Sequence, residues 1–440
     1  MRTRRTTLVV LLAVTLAAAA CGDSKSDDDD GATGTTTAGS GDAFAVPDSA
    51  CPADAKQELA AGAPIKIGIS LPQSGPLAAF DAIRQGLKVG FDKINASGGI
   101  DGHQIQLIAK DDAYDPARSV VNMTELIDKD KIFASGGQIG TPNVAGARKK
   151  HEDTCTPQLF VNTGFPAWGD PANHPWTTGG LLAYNTEANI WADFIAEAKP
   201  GAKVAQLIFN NDFGKAYQTV FTKAAAAKKL SLVNTQLHEA TAPNIDNEIS
   251  AILAAQPDYV LGGTTGAFCP KLMAGLAKGG FKGQLIISST CASAASFFRP
   301  IDPAGDGVLV LTSIKDPSDP ARAKDDDVVA YKADVAKYGP GVNANDVTVA
   351  AGWTEAQVII DVLTRAAESE GGLTRVNAMN EAWNTDFDSP LLLGPVKLDG
   401  NDDAYGIETL EFFKYSAATH AMQATGEQFD QQGKTGLFTP

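Results

Sequence analysis

Apolar positions along this chain switch period repeatedly. "IKIGISLP" (65–72) is a short continuous apolar run of strand length. Behind it Ile83, Leu87, Phe91 and Ile94 recur every three or four residues, as on a helix with one buried face. That helix is predicted to stop at Gly98 or Gly99, where a left-handed cap suits glycine, and "HQIQLIAKDD" then returns to strand period. "ARSVVNMTELIDKD" places Val120, Thr124 and Ile127 on one helical face, and "KIFASGGQ" and "PQLFVNTG" read as further short buried strands. Strands alternating with helices imply a parallel sheet covered by helices on both faces.

After residue 184 the pattern restarts. "KVAQLIFNND", "LSLVNTQL", "PDYVLGGTT", "GQLIISST" and "DGVLVLTSI" are strand candidates. The helices between them carry Tyr217 and Phe221, then Ile249, Ile252 and Leu253, then Leu272, Met273 and Leu276. Two long helical stretches follow, "DDVVAYKADVAKYG" and 349–369 with Trp353, Ile360 and Leu363. The tail "LLLGPVKLDG…GIETLEFFKYSA" reads as strands and hairpins. The expected architecture is α/β: two doubly wound parallel-sheet lobes, with late helices and strands free to return to either.

The first 63 residues do not fit that alternation. Arg2, Arg4 and Arg5 precede "LVVLLAVTLAAAA", an apolar run too short to span a bilayer comfortably, and small residues lead directly into Cys21. Residues 1–20 resemble a lipoprotein signal, with cleavage before Cys21 and lipid on its sulfur. Ala18 stands where such signals usually carry leucine. An ordinary secretory signal cut near Ala20 is the alternative, and "TRRTTL" has a loose twin-arginine look. Residues 21–63 begin with small, polar and acidic positions that cannot bury a core, so a flexible acidic tether is expected. Asp27–Asp30 lacks the alternating ligands and closing glutamate of a calcium loop and reads as a solvated spacer.

Composition narrows the chemistry. With 44% hydrophobic and 20% charged residues the chain is ordinary globular material, and its formal charge of −16 argues against nucleic acid as a partner. Setting Cys21 aside leaves Cys51, Cys155, Cys269 and Cys291, an even number in an exported chain, which favours two disulfides. Three pairings are possible. Cys269 opens a helix and Cys291 closes the next strand, at one edge of a parallel sheet. Cys51 and Cys155 both precede strands, near the opposite edge, which favours Cys51–Cys155 and Cys269–Cys291.

Ligands of open parallel sheets sit at the carboxyl ends of the strands. Here those ends read "PQSGPLAAF", "GGQIGTPN", "NTGFPAW", "NNDFG", "GGTTGAF" and "SSTCAS". Hydroxyls and glycines with spaced aromatics would suit a polar cleft for a small molecule, although any one segment is ordinary strand–helix turn chemistry. Catalysis finds no constellation. His103, His151, His174, His238 and His420 form no metal-like pair, and there is neither a nucleophile elbow nor a phosphate loop. The glycines of "GLAKGG" suit a helix end, and Asp111, Asp112 and Asp115 read as a solvated turn that caps the next helix. No cofactor, metal or enzymatic activity is expected.

"IKIGISLPQSGPLAAF", "GLKVGFDKINASGGIDGHQIQLIAKDDAYDPARSV", "NNDFGKAY" and "QPDYVLGG…GLAKGGFKGQLI" together resemble the branched-chain amino acid (Leu/Ile/Val) class of periplasmic solute-binding proteins of ABC transporters. The resemblance covers roughly 64–415, and its most specific part is the Gly-Gly-Ile-Asp-Gly turn. It implies a type I fold with a three-segment hinge, lobe 1 being 64–183 and 314–389 and lobe 2 being 184–313 and 390–440. It implies a monomer, held on the outer face of the cytoplasmic membrane by Cys21, that traps a small molecule and delivers it to permease subunits. A same-fold sensor that signals to a receptor is the alternative, and an extracytoplasmic hydrolase is a third class.

Carried over by position, the resemblance implies ligand contacts at Ser74, Phe80, Gln138, Gly140, Thr141, Thr163, Gly164, Phe165, Tyr184, Phe213, Thr264, Thr265 and Thr290. The tyrosine and acid that hold an ammonium in amino-acid binders match Thr264 and Thr290. An ammonium taken out of water needs a charge partner, so a neutral or anionic solute is expected, bulky and apolar to suit Phe80, Phe165, Trp168, Phe213 and Phe268. Asp212 or Glu239 would take the acid's role if the alignment is shifted.

Overall fold

A computed structural model describes residues 43–439; the leader, Cys21 and the acidic run of the tether lie outside the described residues. Five strands, β1 (Ile65–Leu71), β2 (Ile105–Asp111), β3 (Ala134–Gly136), β4 (Gln158–Val161) and β5 (Thr177–Gly179), pair in parallel in the order β2-β1-β3-β4-β5. The helices between them are α1 (Asp81–Ala96), α2 (Pro116–Asp128) and α3 (Thr141–Thr154).

The chain then leaves this sheet through α4 (Tyr184–Ala198) and builds a second one. Its strands β6 (Lys203–Phe209), β7 (Ser231–His238), β8 (Tyr259–Gly263), β9 (Gln284–Ile287) and β10 (Leu309–Thr312) run parallel. Between them lie α5 (Asp212–Ala227), α6 (Asp246–Ala254) and α7 (Phe268–Lys278). After β10 the chain returns through α8 (Asp326–Tyr338), α9 (Val347–Glu368) and α10 (Arg375–Trp383) to a two-stranded ribbon, β11 (Asp386–Phe387) and β12 (Val396–Lys397). It crosses once more to add β13 (Thr409–Ser416) and β14 (Ala421–Asp430) as an antiparallel hairpin on the edge of the second sheet, in the order β14-β13-β10-β9-β8-β6-β7. Two doubly wound lobes, as the alternation implies, are thus joined by three crossings, as the resemblance implies.

Local chemistry explains the element ends. Gly98, Gly99 and Gly102 all have positive φ, and Gly99 N–H donates to Ile94 O, closing α1. A side chain at Gly99 would place its Cβ 2.0 Å from His103 O, so the turn needs glycine there for space as well as conformation. Asn95 clamps the next strand by exchanging two 2.8 Å hydrogen bonds with the backbone of Ile105. Asp115 caps α2, accepting from Ala117 N at 2.8 Å.

The expected face of α2 is turned by one position. Val120 is exposed, whereas Ser119, Met123, Leu126 and Ile127 are buried. Ser119 accepts from Gln138 Nε2 and lies against Asn143 O, so a small polar residue leads the buried stripe where apolar spacing alone does not find it. The acidic turn also differs from a solvated one. Asp112 is fully buried, with Ser70 Oγ and Tyr114 N donating to it, and burial raises its carboxyl above the usual range.

Helix α9 is buried along most of its length and lies against α1. Glycines make the contact close. A Cβ on Gly86 would lie 2.1 Å from Val349 O, and one on Gly352 would lie 2.1 Å from Ile83 O. Ala356, Ile359, Val362 and Leu363 of α9 join β1 and β4 residues in the first lobe's core, to which Val396, Leu398 and Ala404 also belong. Both favoured disulfides are present, Cys51–Cys155 and Cys269–Cys291.

Candidate functional site

The carboxyl ends of the two sheets face one cavity of about 130 Å3. From the first lobe, the turn after β1 contributes Leu77 and Phe80, and the β3–α3 junction contributes Gly140 and Thr141. Gly140 has φ of +96°, and a Cβ on it would fall 2.7 Å from the Tyr114 ring. Thr141 and Thr163 share a hydroxyl–hydroxyl bond of 2.6 Å, and Tyr184 Oη donates to Thr163 Oγ1 at 3.3 Å. The first turn of α3 therefore opens on the cavity beside two hydroxyls.

The second lobe contributes Phe213, Thr265, Ser289, Thr290, Thr312 and Ser313. Phe213 meets Tyr184 edge-on, with centroids 5.1 Å apart, and Tyr184 stacks on Tyr217 at 4.8 Å. Behind the wall Glu187 holds the β9 end in place. It accepts from Ser289 N at 2.9 Å, Ser289 Oγ at 3.0 Å and Tyr217 Oη at 2.6 Å. Burial pushes Glu187 up to about 8 despite these hydrogen bonds.

Of the expected contact residues, Phe80, Gly140, Thr141, Thr163, Tyr184, Phe213, Thr265 and Thr290 line the cavity. Ser74, Gln138, Gly164, Phe165 and Thr264 do not. Ser74 is exposed and donates to Asp111 Oδ2 at 2.6 Å. Burial opposes ionisation of Asp111, yet this bond and the amides of Gln73 and Ala113 take it down to about 2. Gln138 is buried, bonded to Ser119 and Gln158. Gly164 packs where a Cβ would lie 1.9 Å from Leu182 O, and Phe165 meets Trp168 edge-on at 5.5 Å. Thr264 Oγ1 shares a 2.7 Å bond with His238 Nε2, whose imidazole burial lowers to about 4. Trp168 and Phe268 are buried away from the wall.

The acid on the wall is Glu355 of α9; neither Asp212 nor Glu239 lines the cavity. Glu355 is 6% exposed and accepts a hydrogen bond from Asn162 Nδ2 through Oε2, while Oε1 has no partner at hydrogen-bonding geometry. Burial drives its carboxyl well above the ordinary range, opposed by Asn162 and the Gly137 amide. Among the described residues no lysine, arginine or histidine lines the cavity. Strand-end reasoning missed Glu355 because it belongs to a helix. The available signal was an acid inside an apolar helical stripe, beside Gly352, Ala356 and Ile359.

Over residues 64–420 the sequence matches the family described as periplasmic binding protein. The chain belongs to that family. Its members are binding proteins and not enzymes, and membership implies an extracytoplasmic location. Among curated relatives, Leu/Ile/Val-binding protein homolog 3 of Brucella melitensis is 26% identical over 195 residues, 44% of this chain and 51% of that protein. An amino acid binding protein of Pseudomonas aeruginosa is 32% identical over 92 residues, 21% of this chain and 25% of that one. The chain thus spans about a quarter to a half of these relatives' length.

Solved structures share the fold over most of the chain. A branched-chain amino acid ABC transporter protein from Thermus thermophilus with bound valine superposes with a TM-score of 0.74 at 18% identity, over 84% of this chain and 97% of that one. A fatty acid ABC transporter substrate-binding protein from Thermomonospora curvata gives 0.74 at 19%, over 86% and 95%. A solute-binding protein from R. palustris in complex with benzoate gives 0.70 at 20%, over 82% and 96%.

Proposed function

We propose that this binding protein is anchored by a lipid on Cys21 to the outer face of the cytoplasmic membrane, closes around a small molecule and delivers it to ABC permease subunits. The observation that carries the reading is the cavity where the strand ends of both sheets meet, lined by residues of both lobes. In this reading two bodies move about the three crossings, 64–183 with 314–389 against 184–313. The expected assignment of 390–440 to the second lobe is divided: the β12 segment with Val396, Leu398 and Ala404 stays with the first lobe's core, while β13 and β14 go with the second sheet. The protein acts as a monomer and the tether spaces it from the membrane.

The contact set is Phe80, Gly140, Thr141, Thr163, Tyr184, Phe213, Thr265 and Thr290, which supply aromatic walls and hydroxyl groups. Such a wall suits an apolar body with a neutral or anionic polar end. Thr290, which the resemblance matches to the acid that holds an ammonium in amino-acid binders, brings a hydroxyl to the wall, and Thr264, matched to the tyrosine, turns away to His238. A thermal-shift screen over amino acids, aromatic acids, amides and short fatty or dicarboxylic acids tests the reading. Stabilisation by acids or amides supports it, and tight binding of leucine or another plain amino acid counts against the ligand class. Labelling with radioactive palmitate, lost on Cys21→Ala, tests the anchor.

A further inference from the structure

Among the described residues, the polar part of the cavity wall consists of hydroxyls, the Asn162 amide and one acid, with no base to balance that acid. Glu355 occupies the middle of α9, which is held against α1 by the close contacts at Gly86 and Gly352, and its side chain is buried. Asn162 serves Oε2, and although the Gly137 amide also acts on the carboxyl, Oε1 has no partner at hydrogen-bonding geometry. A carboxylate this deep with no cation beside it keeps its proton. The other titratable groups on the wall are the phenols of Tyr114 and Tyr184, both also raised by burial, so neither supplies a charge. With Oε2 accepting from Asn162, the proton rests on Oε1 as a hydrogen-bond donor, and a buried donor is costly to leave unused.

We infer that Glu355 is the polar recognition group of the cavity, a neutral acid that donates from Oε1 to an oxygen of the ligand, and that the ligand is an apolar monocarboxylic acid whose carboxylate shares this one proton with the protein. This rests on the proposed ligand cavity and names its substrate class. An acid–carboxylate pair binds an anion without a lysine or arginine, and the rings of Phe80, Tyr114, Tyr184 and Phe213 cover the apolar body. The same wall disfavours a ligand that brings a second anionic group, for which no further proton or cation is at hand.

The test uses the whole exported chain with benzoate, phenylacetate and octanoate set against benzylamine, phenethylamine, leucine and the matching amides, by thermal shift and calorimetry at pH 7. At least one monocarboxylate is expected to bind, Glu355→Gln to keep that affinity within about threefold because an amide still donates, and Glu355→Leu to lose about tenfold or more. Melting curves report whether each variant folds; if Glu355→Leu does not, Glu355→Gln decides. Amine binding abolished by Glu355→Gln would overturn the inference, because Glu355 would then be an ionised acceptor. So would monocarboxylate affinity unchanged in a folded Glu355→Leu, or lost in a folded Glu355→Gln. Those results leave the cavity as the ligand site. If no compound of any class binds the wild-type protein, the cavity reading falls along with the inference.

Discussion

Tyr217 Oη donates to Glu187 Oε2 over 2.6 Å, and neither side chain reaches solvent. Glu187 comes from the helix that follows the first crossing, and through Ser289 it fixes the strand end that presents Thr290 to the cavity. An acid in this position costs stability when it ionises. Burial places its pKa at about 8 in the fold against 4.5 for the ordinary group. The folded state therefore holds the proton more tightly than the unfolded one. The contribution is fully present below about 4.5 and is lost as pH rises through about 8. Glu187→Gln is expected to flatten that part of the profile, gaining melting temperature relative to wild type between pH 5 and pH 8. Parallel profiles for the two proteins would contradict it.

Ligand affinity should divide the aromatic residues by their place. Phe80→Ala and Phe213→Ala each remove wall area, and each is expected to weaken a ligand found in the screen by about tenfold. Phe165→Ala lies outside the wall and should change affinity by less than about twofold. Calorimetric dissociation constants check the ordering.

The contact between α1 and α9 has no room for a methyl group. Gly86→Ala or Gly352→Ala places a Cβ 2.1 Å from a backbone oxygen of the facing helix. Each should cost about 1–3 kcal/mol or more, read as a lower urea midpoint. Either change also shifts the helix that carries Glu355, so affinity should fall with stability.

The two disulfides should separate by function. Replacing Cys51 and Cys155 by alanine opens a link across 104 residues and is expected to cost about 3–5 kcal/mol with little change in affinity. Replacing Cys269 and Cys291 opens a link across 22 residues, for about 3 kcal/mol. Cys291 lies between Thr290 and Ala292, both on the wall, so this pair should also weaken binding. Urea melts and titrations on the two double variants make the comparison.

Most of the fold could be read from period alone, because the central strands carry runs of apolar residues and most helices follow them after short polar turns. β6, β8, β9 and β10 fall within the runs that predict them, and β7 extends past its run by one residue, His238. The cysteine pairing followed from the same logic, since strand and helix order sets which sheet edge each cysteine occupies. The face of α2 was less legible: Ser119 is buried by hydrogen bonds and not by apolarity. Strand-end reading likewise could not separate Thr264 from Thr265. Adjacent side chains leave a strand in opposite directions, and Thr264 turns to His238 while Thr265 lines the cavity. Glu355 stayed hidden because its helix returns to the site from more than two hundred residues beyond the first strand.

Neither disulfide crosses from one sheet to the other, and together they consume every cysteine among the described residues. The halves are thus stapled separately, and the backbone crossings alone link them covalently. A cysteine introduced at exposed Ala79, next to Phe80, would be the sole free thiol among those residues. A fluorophore attached there, on material lacking Cys21, would respond to occupancy of the neighbouring cavity without disturbing the native bridges, turning the protein into an optical gauge of its own solute.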